Sequence, residues 1–197
     1  NHDFTDCQRA MMASDDEKII THISNLRPVK RVQDVIKIFY NIQKEMPAKL
    51  MLVGEGPERE KIEWTCQELG ILDKVIFFGR SNEIDKILCF SDLFLLPSQT
   101  ESFGLAALEA MASGVPVISS NTGGIPEVNI SGVSGYLSPV GDIDEMTKNA
   151  LYILSNSERL KAFKDNARKQ ALKFDLHKIV PQYEAIYEDT LAKCLVL

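Results

Sequence analysis

The sequence predicts an α/β protein: a Rossmann-like, doubly wound parallel sheet carrying a helical carboxyl-terminal tail. Three observations predict it. Short apolar runs alternate with longer amphipathic ones from residue 18 to about residue 139. The short runs are almost continuously apolar rather than alternating, as strands are when helices cover both faces of a parallel sheet. From about residue 142 onward the periodicity is helical to the end.

Taken in order, residues 1–18 are polar and patternless and read as a lead-in segment, which places the folded domain at 19–197. The strands are "KIITHIS" (18–24), "KLMLVG" (49–54), "KVIFFG" (74–79), "DLFLLP" (92–97), "VPVISS" (115–120) and "GYLSP" (135–139). Helical patterns lie between the first five, near 31–46, 57–69, 82–90 and 103–113. Regular β-α alternation of this kind implies parallel strands joined by crossover helices. The tail reads as helices near 142–154, 156–173 and 178–194. No repeat, low-complexity stretch or linker interrupts the pattern, so one domain is expected.

Bulk composition narrows the function. A chain of 197 residues, 45% hydrophobic and 25% charged, suits one large domain with a real core. The formal net charge of −6 argues against a nucleic-acid binder, which normally carries a basic surplus. Cys7, Cys66, Cys89 and Cys194 form no CxxC, and His2, His22 and His177 are equally scattered. Neither a zinc site nor a disulfide framework is indicated, and a reducing cytoplasm is the expected setting. No apolar run approaches the roughly 18–20 residues of a membrane span, although peripheral association with a membrane stays open. There is no signal-peptide pattern, and a start at Asn1 rather than Met reads as a processed or excised fragment.

In doubly wound sheets, ligands bind beyond the carboxyl ends of the strands, so the segment after each strand matters most. These segments are "SNLRPVKR", "GEGPE", "GRSNE", "PSQTESFG" and "SNTGGIPE". Gly54, Gly56 and Pro57 form a turn into a helix, where glycine permits close approach of a ligand and helical amides favour an anion. A plain βα turn has the same appearance. Arg27, Lys30 and Arg31 cluster after the first strand of an otherwise acidic chain. Cations at a helix start oppose the helix dipole, which favours an anion site over a structural role.

Ser102, Phe103 and Gly104 precede an apolar helix, so the amides of Phe103, Gly104 and Leu105 are expected to point to the rim. Glu101 lies at or before its cap. Glu109 sits within "LAALEAMA", where an acid needs a partner, a polar ligand or an exposed stripe. Gly123 to Glu127 read either as a flexible loop capping a site or as a simple connection. Asp142 and Asp144 resemble a DxD metal motif, but Asp142 with Glu145 three residues on reads better as a capping box, and no catalytic metal is expected. His22 reads as a core histidine near the rim.

Glu101 and Glu109 fit an E-x7-E pattern within "ESFGLAALEAMASGVPVI". "VGEGPE", "SDLFLLPS", "GGIPEV" and "GYLSPVGD" accompany it in a consistent order. Together these resemble the carboxyl-terminal, donor-binding half of a GT-B glycosyltransferase of family 4, over nearly the whole chain from residue 19. The resemblance implies retaining transfer of a sugar from a nucleotide diphosphate donor, UDP-N-acetylglucosamine or UDP-glucose, with no metal or other cofactor. It implies that Glu101 contacts the donor sugar and Glu109 the ribose, and that Lys30 holds the phosphates. The Phe103–Leu105 turn would lie near sugar and diphosphate, and the backbone at Arg80 near the nucleobase. Asn25, Gly54, Gly56 and Ser102 would complete the donor site.

One departure concerns the phosphates. The family commonly has Gly-Arg where this chain has Ser24-Asn25, and Arg27 is the expected substitute. "SNLRPVKR" is similar to the corresponding stretch of the N-acetylglucosaminyl-malate synthases of bacillithiol formation. The resemblance also implies a missing amino-terminal lobe that holds a small-molecule, lipid or glycan acceptor, so this chain alone is expected to bind donor and transfer little. The rival readings are a lobe of a nucleotide-sugar 2-epimerase and a non-catalytic donor-binding subunit. A receiver-like signalling module would need an acidic cluster where this chain has "THISN".

Overall fold

A computed structural model describes residues 9–194. Six strands form one sheet: β1 (Lys18–Ile23), β2 (Ala48–Val53), β3 (Val75–Gly79), β4 (Leu93–Leu96), β5 (Val117–Ser120) and β6 (Gly135–Ser138). Their spatial order is β3-β2-β1-β4-β5-β6, and every pairing is parallel. That is the Rossmann order, which reverses between β1 and β4. The doubly wound parallel sheet expected from the apolar runs is the one observed, with strand ends trimmed by one or two residues.

The crossovers are α2 (Val32–Glu45), α3 (Arg59–Glu68), α4 (Ile84–Cys89), α5 (Leu105–Ala112) and the single turn α6 (Ile125–Val128). They follow the short helix α1 (Arg9–Met12). The tail comprises α7 (Ile143–Leu154), α8 (Ser157–Ala171) and α9 (Leu176–Cys194). The caps have visible causes: Asp142 accepts from the Glu145 N–H at 2.9 Å and Asn156 from the Arg159 N–H at 2.8 Å. Asp142 therefore terminates a helix, as its spacing to Glu145 predicts.

Apolar side chains fill both faces of the sheet. On one face Ile20, Leu50, Leu52 and Ile118 pack under α2, α3, α7 and α8 through Ile36, Phe39, Ile62, Met146 and Phe163. On the other, Phe94, Leu96 and Val117 meet Ala107, Met111 and Ile125 of α5 and α6. A Leu or Ile buried this way contributes about 1.5–3 kcal/mol, which is why strands carrying no polar face form here. Residues 180–193 of α9 are exposed, with Val180, Tyr183, Tyr187 and Leu191 all open to solvent.

One expectation changes and one open alternative narrows. Residues 9–17 are not a loose lead-in, because α1 is anchored. Arg9 donates to the Phe90 carbonyl at 2.6 Å, the Glu17 carbonyl at 2.9 Å and Asp92 Oδ2 at 2.9 Å. Residues 1–8 of that lead-in lie outside the described residues. Of the two readings left open for Gly123 to Glu127, the simple connection fits better, since the segment runs into α6 and is anchored by the fully buried Ile125 and Val128.

Candidate functional site

The β1–β4 ladder pairs Ile20 with Leu93 and Thr21 with Phe94, and no pairing beyond Phe94 is present. In a sheet of this order the ligand crevice belongs at the reversal, between the loop after β1 (residues 24–30) and the loop after β4 (97–104), which the Gln99 N–H joins by donating to the Val29 carbonyl at 2.8 Å. His22 fills the fork. Its ring is fully buried, stacks with Phe94 at 6.5 Å between centroids, and lies 2.8 Å from the Leu95 carbonyl through Nδ1 and 2.8 Å from Ser24 Oγ through Nε2. A carbonyl only accepts, so Nδ1 carries the hydrogen and Nε2 accepts from the Ser24 hydroxyl. Ser24 Oγ in turn accepts from the Leu26 N–H at 3.2 Å. Leu26 has φ of 40°, an uncommon left-handed conformation for leucine, and the hydrogen bond helps to hold it. Burial pushes the His22 pKa down to about 4; the Leu95 carbonyl opposes this, the Lys30 cation reinforces it and the Glu101 carboxylate opposes it. The ring is neutral at physiological pH and braces the site as a core histidine.

Across the crevice Lys30 Nζ donates to Glu101 Oε1 at 2.6 Å, and the Ser98 hydroxyl donates to the same oxygen at 2.8 Å. Both partners of the pair are largely enclosed, with 22% of the Lys30 and 13% of the Glu101 side chain exposed. Arg31, third of the basic cluster, is already paired. Its guanidinium donates to Asp34 at 2.6 Å and Gln99 at 3.0 Å, tying α2 to the β4 loop. Arg27 and Asn25 are exposed, and neither side chain has a partner among the described residues.

Glu101 lies in the loop, not on the helix, which begins at Leu105 behind a left-handed Gly104 (φ 90°). The two acids of the E-x7-E stretch therefore do not share a helix face. The backbone N–H groups of Phe103, Gly104 and Leu105 find no acceptor among the described residues. Ser102 and Leu105 are exposed, while the Phe103 ring packs edge-on against Phe174 at 5.6 Å. Glu109 is exposed, one turn along the face that begins with Leu105, and has no partner among the described residues. Solvent access, not a buried partner, is what lets a carboxylate sit in so apolar a helix.

The glycines have a reason besides ligand approach. A Cβ on Gly54 would lie 1.8 Å from the Ser24 carbonyl oxygen, and one on Gly56 would lie 1.9 Å from that of Asn25. At Gly123 it would lie 1.7 Å from the carbonyl oxygen of Glu101. The β2 loop is thus pressed onto the β1 loop, and the β5 loop onto the segment holding Glu101. Arg80, after β3, is open to solvent and pairs with Glu55 at 3.1 Å. The rim from β3 to β5 spans four strand spacings, about 19 Å at ~4.8 Å each. Sequence reasoning missed Ser98, which binds the same oxygen as Lys30; its only sign was a hydroxyl three residues before Glu101.

A parallel sheet of this order, with unpaired amides and cations gathered where it reverses, is the architecture of a nucleotide-binding α/β domain. The chain belongs to the glycosyl transferases group 1 family, whose model matches residues 5–170, and its fold is that of one lobe of a GT-B glycosyltransferase. It is 46% identical to N-acetyl-alpha-D-glucosaminyl L-malate synthase of Bacillus anthracis, over 96% of this chain and 50% of that protein. It is 32% identical to the MMP alpha-(1->4)-mannosyltransferase of Mycolicibacterium hassiacum, over 89% of this chain and 44% of that one. HepE of Anabaena, solved with UDP and glucose, superposes with a TM-score of 0.83 at 25% identity, over 92% of this chain and 50% of that one. The chain spans about half the length of the curated relatives it matches. Among the described residues no helix is long and apolar enough to cross a membrane.

Proposed function

We propose that this chain is the donor-binding half of a retaining glycosyltransferase and that a nucleotide diphosphate sugar lies along the rim from β3 to β5. The observation that carries the reading is the convergence at the β1–β4 crevice. Lys30, the unpaired amides of Phe103 to Leu105 and a carboxylate with an oxygen to spare all meet there. Lys30, Arg27 and the amides hold the diphosphate, with Asn25, Ser102 and the Gly54–Gly56 turn beside it. Glu101 accepts from sugar hydroxyls, Glu109 from the ribose, and the backbone at Arg80 faces the base.

Departure of the nucleotide diphosphate develops negative charge on its leaving oxygen. Fixed cations and N–H dipoles stabilise that charge without rearranging, usually the largest catalytic contribution. No metal is required in this scheme, and no side chain acts as a covalent nucleophile. Attack on the face from which the diphosphate leaves accounts for retention. The acceptor, a small molecule, lipid or glycan, is held by an amino-terminal lobe outside this chain, in the cytoplasm. The similarity to the malate synthase favours UDP-N-acetylglucosamine as donor and favours transfer over epimerisation.

Calorimetric titration of the folded chain with UDP and UDP-N-acetylglucosamine tests the reading. Binding of both is expected, weakened by Lys30→Ala and by Glu109→Ala. A folded wild-type chain that binds neither would sink it.

A further inference from the structure

Glu101 uses its two oxygens unequally. Oε1 accepts from both Lys30 and Ser98, while Oε2 accepts from nothing among the described residues. Ser98 is fully buried, so its hydroxyl is a fixed donor; Lys30 sits on a flexible stem with hydrogens to spare. Without ligand, the enclosed cation of the crevice is therefore partly neutralised by a carboxylate. A diphosphate must compete with that carboxylate for Lys30.

We infer that the Lys30–Glu101 pair, with Ser98 holding the carboxylate in place, makes the site discriminate between a sugar nucleotide and the free nucleoside diphosphate. The inference rests on the donor-site reading above and adds selectivity to it. A free nucleoside diphosphate brings a terminal phosphate of higher charge towards Glu101. It draws Lys30 away and leaves two anions facing each other, which is unfavourable. A sugar nucleotide carries a hexose at that place, and its hydroxyls donate to the oxygen Lys30 releases and to Oε2. The carboxylate then exchanges a cation for hydrogen-bond donors instead of losing its partner. Ser98 is a positioning residue: it keeps Oε1 where Lys30 left it. The product nucleotide, having lost its sugar, meets the repulsion and is released.

The experiment is titration of the 197-residue chain with UDP and UDP-N-acetylglucosamine, comparing wild type, Glu101→Gln and Ser98→Ala, with thermal unfolding to check each fold. Glu101→Gln removes the charge and keeps the shape, so UDP is expected to bind about five- to tenfold tighter. Its preference for the sugar nucleotide over UDP falls by at least the same factor. Ser98→Ala is expected to leave UDP affinity within about twofold and to weaken the sugar nucleotide about threefold, the value of one hydrogen bond. A purely structural loss would weaken both ligands together. UDP binding left unchanged or weakened by Glu101→Gln overturns the exchange alone. Failure of wild type to bind either ligand overturns the donor site and the exchange with it.

Discussion

Strand β4 has a carboxylate at each end, and the two are built differently. Asp92, just before the strand, spends both oxygens: Oδ2 accepts from Arg9 at 2.9 Å and from the Ile19 N–H at 3.0 Å, and Oδ1 from Lys164 at 2.9 Å. Burial alone would raise its pKa, but Lys164, the Ile19 amide and Arg9 outweigh burial and hold it below the ordinary range. Glu101, past the other end, has one oxygen engaged and one free. A saturated carboxylate at the amino ends of parallel strands knits elements together. A half-saturated one at the carboxyl ends is ready for a ligand. On the proposed donor-site reading, the degree of saturation separates structural from ligand-binding charge better than burial does.

The largest effect should come from the saturated end. Asp92→Ala leaves Arg9 with carbonyl partners only, takes the carboxylate from Lys164 and strands the Ile19 amide, so a loss of about 3–5 kcal/mol is expected from denaturant unfolding. The fraction still folded should bind UDP normally; a variant of full stability would erase the contrast. His22 comes next. Its native pKa of about 4 lies below its ordinary 6.5, so between those values the unfolded chain takes up a proton that the native chain refuses. Stability therefore falls as pH falls through that window, by about 3 kcal/mol in full. His22→Phe should flatten that part of the profile, and an unchanged slope would assign it to other groups.

At the half-used end, Lys30→Ala leaves an enclosed carboxylate with Ser98 alone, so it should cost about 1–3 kcal/mol of stability, less than Asp92→Ala, and at least about tenfold in UDP affinity. Equal effects on both would make the pair structural, like its counterpart. Arg9→Ala, which removes only the latch, should cost about 1–3 kcal/mol and spare UDP binding. Smallest of all, Glu109→Ala should move stability by less than about 0.5 kcal/mol, since its exposed side chain has no hydrogen-bond or ion-pair partner among the described residues. Its donor affinity then reports the ribose contact free of any folding effect.

The legible parts of the molecule were those governed by near neighbours. Apolar runs such as "LMLV" and "LFLL" form strands buried on both faces, and Asp142 caps a helix through an amide three residues away. Illegible were contacts between residues far apart in the chain. Nothing in "SDLFLLPS" marks Asp92 as the partner of Arg9 and Lys164, 83 and 72 residues distant. For Glu109 a partner, a polar ligand and an exposed stripe all stayed open, because a linear window cannot show which face of α5 meets solvent; the structure exposes it.

Composition and periodicity by themselves determined the α/β class, the strand sequence and the rim on which the polar loops collect. Each depends on local propensity and on burial averaged over a segment. Tertiary structure decided that β4 lies beside β1, which opens the crevice there, and that Lys30 reaches Glu101 71 residues away. It also set Gly123 against the Glu101 carbonyl. Hydrogen bonds and ion pairs act over about 3 Å, and only the folded chain brings such distant residues that close.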